Sequence, residues 1–111
     1  MKLLLKLLFA AIFLWMVVMT IRTSLAMSLF AAWPGFAANP WAVATLWDAY
    51  FGFLTFYVWV VYKETNIGLR ILWFVLIMSL GNIAMSAYVL IQLMRLRADE
   101  PVEAVLWRPT P

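Results

Sequence analysis

The chain has 111 residues, 68% of them hydrophobic and 12% charged, with a formal net charge of +3. A soluble domain is about 45–50% apolar and about 25% charged, and one this small still needs a polar exterior because it buries only about two-thirds of its unfolded surface. The composition therefore excludes an ordinary soluble enzyme, a disordered tail and a free nucleic-acid binder, and it points to an all-α integral membrane protein.

A helix needs about 20 mainly apolar residues to cross about 30 Å of hydrocarbon. Three stretches qualify, so the expectation is three transmembrane helices in a single domain covering 1–111. The first span covers 3–21, with Lys6 near its start and Arg22 after it. Its opening and Ser24-Leu25-Ala26 resemble a secretory signal with a cleavage site, but the apolar run exceeds the 7–15 residues of a signal core. A retained span is the favoured reading.

The connection 23–40 is apolar. Ser24 is a candidate N-cap, and Trp33-Pro34-Gly35 breaks a helix. Residues 24–33 then form a short helix at the headgroup level, anchored by Trp33 and Trp41. An apolar loop packed on the spans is the alternative. The second span covers 41–62, between Asn39-Pro40 and Lys63-Glu64. A tight turn, 63–68, makes the second and third spans an antiparallel hairpin. The third span covers 69–94, with Arg70 near its start and Arg95 and Arg97 after it. In the tail, 98–111, Pro101, Pro109 and Pro111 forbid a long helix, and Trp107 suggests docking on lipid or on a neighbouring subunit.

With three crossings, Lys2, Lys6, Lys63 and Arg70 share one side of the membrane, and Arg22, Arg95, Arg97 and Arg108 share the other. That is a tie under the positive-inside rule. The terminal amine tips the expectation toward a cytoplasmic N-terminus in a bacterial inner membrane. The eight Lys and Arg residues read as flanking charges of spans and not as a nucleic-acid footprint.

The chain has neither Cys nor His. No disulfide framework, thiolate ligand or cysteine nucleophile is available. The commonest metal ligand, the usual haem ligand and the easiest proton shuttle near neutral pH are missing as well. No catalytic residue, metal site or cofactor is expected.

Asp48 is the one acidic residue within a span, where a carboxylate is expensive and by default paired or functional. Arg22 and Arg95 are its candidate partners, and Lys63, Glu64 and Arg70 are expected to pair at the surface. Two helical stripes of small and polar residues stand out: Thr45, Asp48, Gly52, Thr55 and Trp59 in the second span, and Ser79, Asn82, Ser86 and Val89 in the third. Small residues allow close backbone approach, and hydroxyl or amide groups can bond across a contact. The stripes are therefore expected to face each other or a partner chain, with Asn82 the most buried polar side chain.

The run Trp47-Asp48-Ala49-Tyr50, then Val58-Trp59-Val60-Val61-Tyr62-Lys63-Glu64, then Trp73, Gly81 and Tyr88, resembles an uncharacterised family of small multi-pass membrane proteins classed as a domain of unknown function. In it an Asp-x-Tyr opens a span that ends in Trp-x-x-Tyr-Lys-Glu, and a hairpin partner span carries a Gly near its middle. The resemblance covers about residues 38–95 and implies that Asp48, Trp59, Lys63 and Glu64 matter. It carries no activity.

Together these features lead to the expectation of a non-catalytic accessory subunit, in contact with lipids and with larger subunits of a respiratory or photosynthetic complex. The alternative is an oligomeric ion- or proton-binding protein, or a transporter, that uses Asp48.

Overall fold

Side-chain caps open three of the six helical elements described. The Leu- and Ala-rich run after Met1 forms helix α1, Lys2–Ala26, in keeping with the high helix propensity of those residues. It is longer than the expected span, so the next cap is Ser28 and not Ser24. The Ser28 hydroxyl accepts the Ala31 N–H at 3.1 Å and opens α2, Leu29–Ala37. Pro34 lies inside this helix instead of ending it. It forfeits only the bond to the carbonyl of Phe30, a residue exposed on the surface.

Asn39 caps α3, Pro40–Lys63, by accepting the Trp41 and Ala42 N–H groups, with Pro40 at the first helical position. Asn66 caps α4, Ile67–Leu80, in the same way. Helix α5, Asn82–Met94, follows after one residue, and a short 3-10 helix spans Val102–Leu106. The computed structural model describes residues 1–108, and no strand occurs among them. Pro109 and Pro111 lie outside the described residues. Pro101 immediately precedes the 3-10 helix.

The expected third span is broken. Gly81 has φ 58° and ψ −121°, a conformation open to glycine and very costly for other residues. It reverses the chain, and α5 returns alongside α4. Three observations fix this direction. Trp73 and Tyr88, nearly equidistant from Gly81, have ring centroids 4.8 Å apart. The Tyr88 hydroxyl, on α5, reaches the Glu64 carboxylate, just ahead of α4, at 3.0 Å. The Lys2 ammonium, at the start of α1, donates to the Arg97 carbonyl at 2.8 Å.

Helices α3 and α4 form the expected antiparallel pair. The Tyr57 hydroxyl donates to the Arg70 carbonyl and the Tyr50 hydroxyl to the Met78 carbonyl, so register falls on one helix as it rises on the other. Helix α1 lies against α5 and has no fully buried residue.

Of these elements, α1 (25 residues) and α3 (24 residues) are long and apolar enough to cross a membrane. At about 1.5 Å per residue each exceeds the roughly 30 Å of a hydrocarbon core. Helices α4 and α5 have 14 and 13 residues, so each reaches only about 20 Å.

The core sits where the α4–α5 hairpin meets the C-terminal half of α3. Val60, Ile77 and Tyr88 have no accessible surface. The Tyr88 ring stands edge-on to Trp73, Trp59 and Phe56, a favourable geometry for aromatic quadrupoles. At the tip of the hairpin a Cβ on Gly81 would lie 2.7 Å from Phe53 Cζ. Gly81→Ala thus meets both a forbidden backbone and a filled space. It is expected to destabilise the fold by about 1–3 kcal/mol from the backbone alone, read as a lower midpoint in reversible detergent unfolding, and Phe53→Ala in the same background should recover part of the loss.

Candidate functional site

Two regions hold the polar side chains that the apolar elements leave over. The first is the end of the molecule where α3 stops, α4 starts and α5 ends. The last turn of α3 presents Trp59, Tyr62 and Lys63, and all three bind the tail. Lys63 is 5% exposed, and its ammonium donates to the Val105 carbonyl and lies 5.5 Å from the centre of the Trp59 ring. Trp59 Nε1 donates to the Leu106 carbonyl at 3.2 Å. Arg108 Nε donates to the Tyr62 carbonyl at 2.9 Å, and its guanidinium stacks 5.0 Å from the Tyr62 ring. A 3-10 helix this short leaves terminal carbonyls without internal partners, and the α3 side chains supply donors to them. Ala104 and Val105 are buried beneath.

Glu64 does not pair with Lys63 or with the Arg70 guanidinium. Its carboxylate accepts the Tyr88 hydroxyl at 3.0 Å, while Arg70 donates to the carbonyls of Val61 and Glu64. Arg70 thereby closes the C-terminus of α3, where unpaired carbonyls and the helix dipole favour a cation. Gln92, 4% exposed, sits one turn beyond Tyr88 and shares a cleft of about 290 Å³ with Lys63, Arg95, Leu96, Glu100 and Ala104.

The second region is the stripe on α3. Thr45, Asp48, Gly52 and Thr55 are exposed and do not meet the stripe of the third span. The Thr45 and Thr55 hydroxyls fold back on the Trp41 and Phe51 carbonyls of their own helix. Asp48 has no hydrogen-bond partner among the described residues. Arg95 lies beside Lys63 in the cleft, fifteen residues along α3 from Asp48, and Arg22 is exposed near the end of α1.

Ser79 and Asn82 are exposed at the hairpin tip, so Asn82 is not a buried polar group. Ser86 is buried, but its hydroxyl bonds the Asn82 and Ile83 carbonyls of α5 and bridges nothing. Val89 is half-buried. Trp59 turns from the stripe into the core, and Trp107 is 56% exposed on the docked tail. The physical reason is common to these differences: α5 turns back at Gly81, so the faces of the third span meet α1 and the C-terminal half of α3 instead of the full length of α3.

Among the described residues no group of three or more Cys, Asp or Glu side chains is placed to hold a metal ion. A profile for a family described as a protein of unknown function, DUF1475, matches residues 4–108. The chain belongs to the DUF1475 family. No curated protein and no solved structure matches it. The DUF1475 match takes in the tail through Arg108, the residue that stacks on Tyr62.

Sequence reasoning passed over Gln92, and over the part that Tyr50 and Phe53 play at the turn. A Gly-Asn pair inside the apolar run 67–94 was the available signal for the turn. Replacing Lys63 with Met keeps the stem and removes the donor. In Lys63→Met the 3-10 helix is expected to lose its hold on α3, with amide exchange at 102–106 rising at least tenfold, one lost hydrogen bond being worth about 1.5–3 kcal/mol when the donor is charged.

Proposed function

We propose that this DUF1475 protein is a non-catalytic integral membrane protein that packs the exposed stripe of α3 against larger membrane subunits. One observation carries the reading: Thr45, Asp48, Gly52 and Thr55 follow one another at helical spacing and are exposed, uncovered by any of the described residues. A carboxylate left facing lipid is expensive, and a small-residue face lets another helix approach closely. A Cβ added at Gly52 would meet nothing within 4 Å, so the face is open to close approach by a neighbour there.

In this reading α1 and α3 cross the bilayer, and α4–α5 enters and leaves by one face. Burial of Gly81 and the bond from Tyr50 to the Met78 carbonyl support it, because irregular backbone at membrane depth must be covered and satisfied by protein. The return of α5 brings Arg95, Arg97 and Arg108 to the end that holds Lys2, Lys6, Lys63 and Arg70. Of the eight Lys and Arg residues only Arg22 lies at the other end of α1, which removes the tie and puts the basic end in the cytoplasm.

Ion or proton binding at Asp48 within an oligomer rests on the same unpartnered carboxylate, and two variants separate the readings. Gly52→Leu adds bulk only on the open face. It is expected to leave the unfolding midpoint unchanged and to weaken co-purification with larger subunits at least tenfold in mild detergent, followed by native mass spectrometry. A wild-type chain that runs only as a monomer or homodimer overturns the proposal, and a proton flux abolished by Asp48→Asn in vesicles would favour the second reading.

The topology has its own measurement. The chain has no Cys, so single Thr65→Cys, Glu103→Cys and Asn39→Cys variants report cleanly. Impermeant maleimide is expected to label positions 65 and 103 from the cytoplasmic face and position 39 from the opposite face. Labelling of 65 and 103 from opposite faces would restore a third full crossing.

A further inference from the structure

We propose that the cleft between Lys63, Gln92 and Arg95 is a binding site for a phosphate group. The site rests on the membrane reading only for where the phosphate comes from. Lys63 as a residue is buried, yet the one hydrogen-bond acceptor of its ammonium among the described residues is the Val105 carbonyl. A buried cation is costly unless paired and fully bonded, and the adjacent carboxylate of Glu64 is turned to Tyr88.

Arg95 lines the same cleft and donates no side-chain hydrogen bond among the described residues. Gln92 is buried to the same degree as Lys63, and its amide also has no partner among those residues. Since among the described residues no buried side-chain nitrogen or oxygen is both sealed and unbonded, the Gln92 amide, which lines the cleft, is open to it. Three donor-bearing side chains thus line about 290 Å³, Lys63 with one donor spent on Val105 and Gln92 and Arg95 with none spent among the described residues. The complement is a compact anion with several acceptor oxygens, and charge-assisted bonds of this kind are the strong ones.

Glu100 is the one opposing group. It lines the cleft, but its Oε1 accepts the Arg97 N–H at 2.8 Å and closes the turn after α5. Among the lining residues two cations stand against one carboxylate; the Glu64 carboxylate also acts on Lys63 from its place in the chain next to it, but it is bonded to Tyr88 and does not line the cleft. Cations near the C-termini of α3 and α5 also offset the helix dipoles. That role needs no burial and gives no account of Gln92.

The phosphate is either that of an anionic phospholipid headgroup or free in solution, and one experiment separates them. The full chain is placed in nanodiscs of equal phosphatidylglycerol and phosphatidylcholine, and retained lipid is read by native mass spectrometry. Inorganic phosphate binding is read separately by calorimetry in detergent. Incorporation into discs is scored first and tests the membrane reading alone.

The expected result is phosphatidylglycerol retained at least tenfold over phosphatidylcholine. Gln92→Leu and Arg95→Gln should each abolish that preference, and Glu100→Gln should strengthen it. Inorganic phosphate bound at millimolar concentration, lost in the same variants and without lipid preference, assigns the site to a soluble phosphate. Equal retention of both lipids with no phosphate binding overturns the proposal. So does a preference unchanged in the variants, which would place it on the open Arg97 and Arg108 surface. Should Gln92→Leu fail to fold, Arg95→Gln and Glu100→Gln, both on the rim, still decide.

Discussion

The structure depends on one backbone reversal. A run of 28 residues, 67–94, is apolar enough to read as a single helix, and Gly81 turns it back on itself. The turn holds because its parts are filled from α3. Phe53 occupies the space that any Cβ at 81 would need. The Met78 carbonyl, which a continuous helix would pair with the Asn82 N–H, instead accepts the Tyr50 hydroxyl at 3.0 Å. One residue thus sets the direction of α5, and α5 sets everything beyond it. Tyr88 meets Trp59 and Trp73, α1 lies antiparallel to α5, and the chain emerges beside the end of α3.

This explains which features were legible in the amino-acid order. Asn39-Pro40 and Lys63-Glu64 mark true ends because capping is a local matter: the residues that stop or start a helix lie within a turn of the boundary. The turn at Gly81 is not local. Hydropathy is the same whether 67–94 crosses once or folds back, and a lone Gly in an apolar helix is common in membranes. What decides is a pair of aromatic residues on α3, 28 positions earlier in each case, that fill and bond the break.

The polar stripes show the same limit from another side. Helical spacing correctly groups Thr45, Asp48, Gly52 and Thr55 on one face, but periodicity alone does not say which way a face points. The opposite face holds Phe53, Phe56, Tyr57 and Val60, and these take the core, since aromatic rings bury more area per residue than a threonine or glycine. Glu64 fails as a partner for Lys63 because sequence neighbours at the end of a helix diverge. Its carboxylate finds a phenol contributed by a helix 24 residues away.

The tail then follows from the position of Lys63. An amphipathic lysine normally carries its ammonium to water along an extended stem. Here the return of α5 and the burial of Ala104 and Val105 close over it, so the charge must be met by groups of the protein. The 3-10 helix supplies a carbonyl to Lys63 and another to Trp59, which makes the tail part of the folded domain instead of an appendage. One carbonyl leaves an ammonium only partly satisfied. The tail therefore does two things at once: it covers Lys63, and it accepts only one of its donors, on a residue that lines the cleft with Gln92 and Arg95. A cation that is both sheltered and incompletely bonded binds an anion more strongly than the same cation on an open surface, because the lower local dielectric strengthens the attraction.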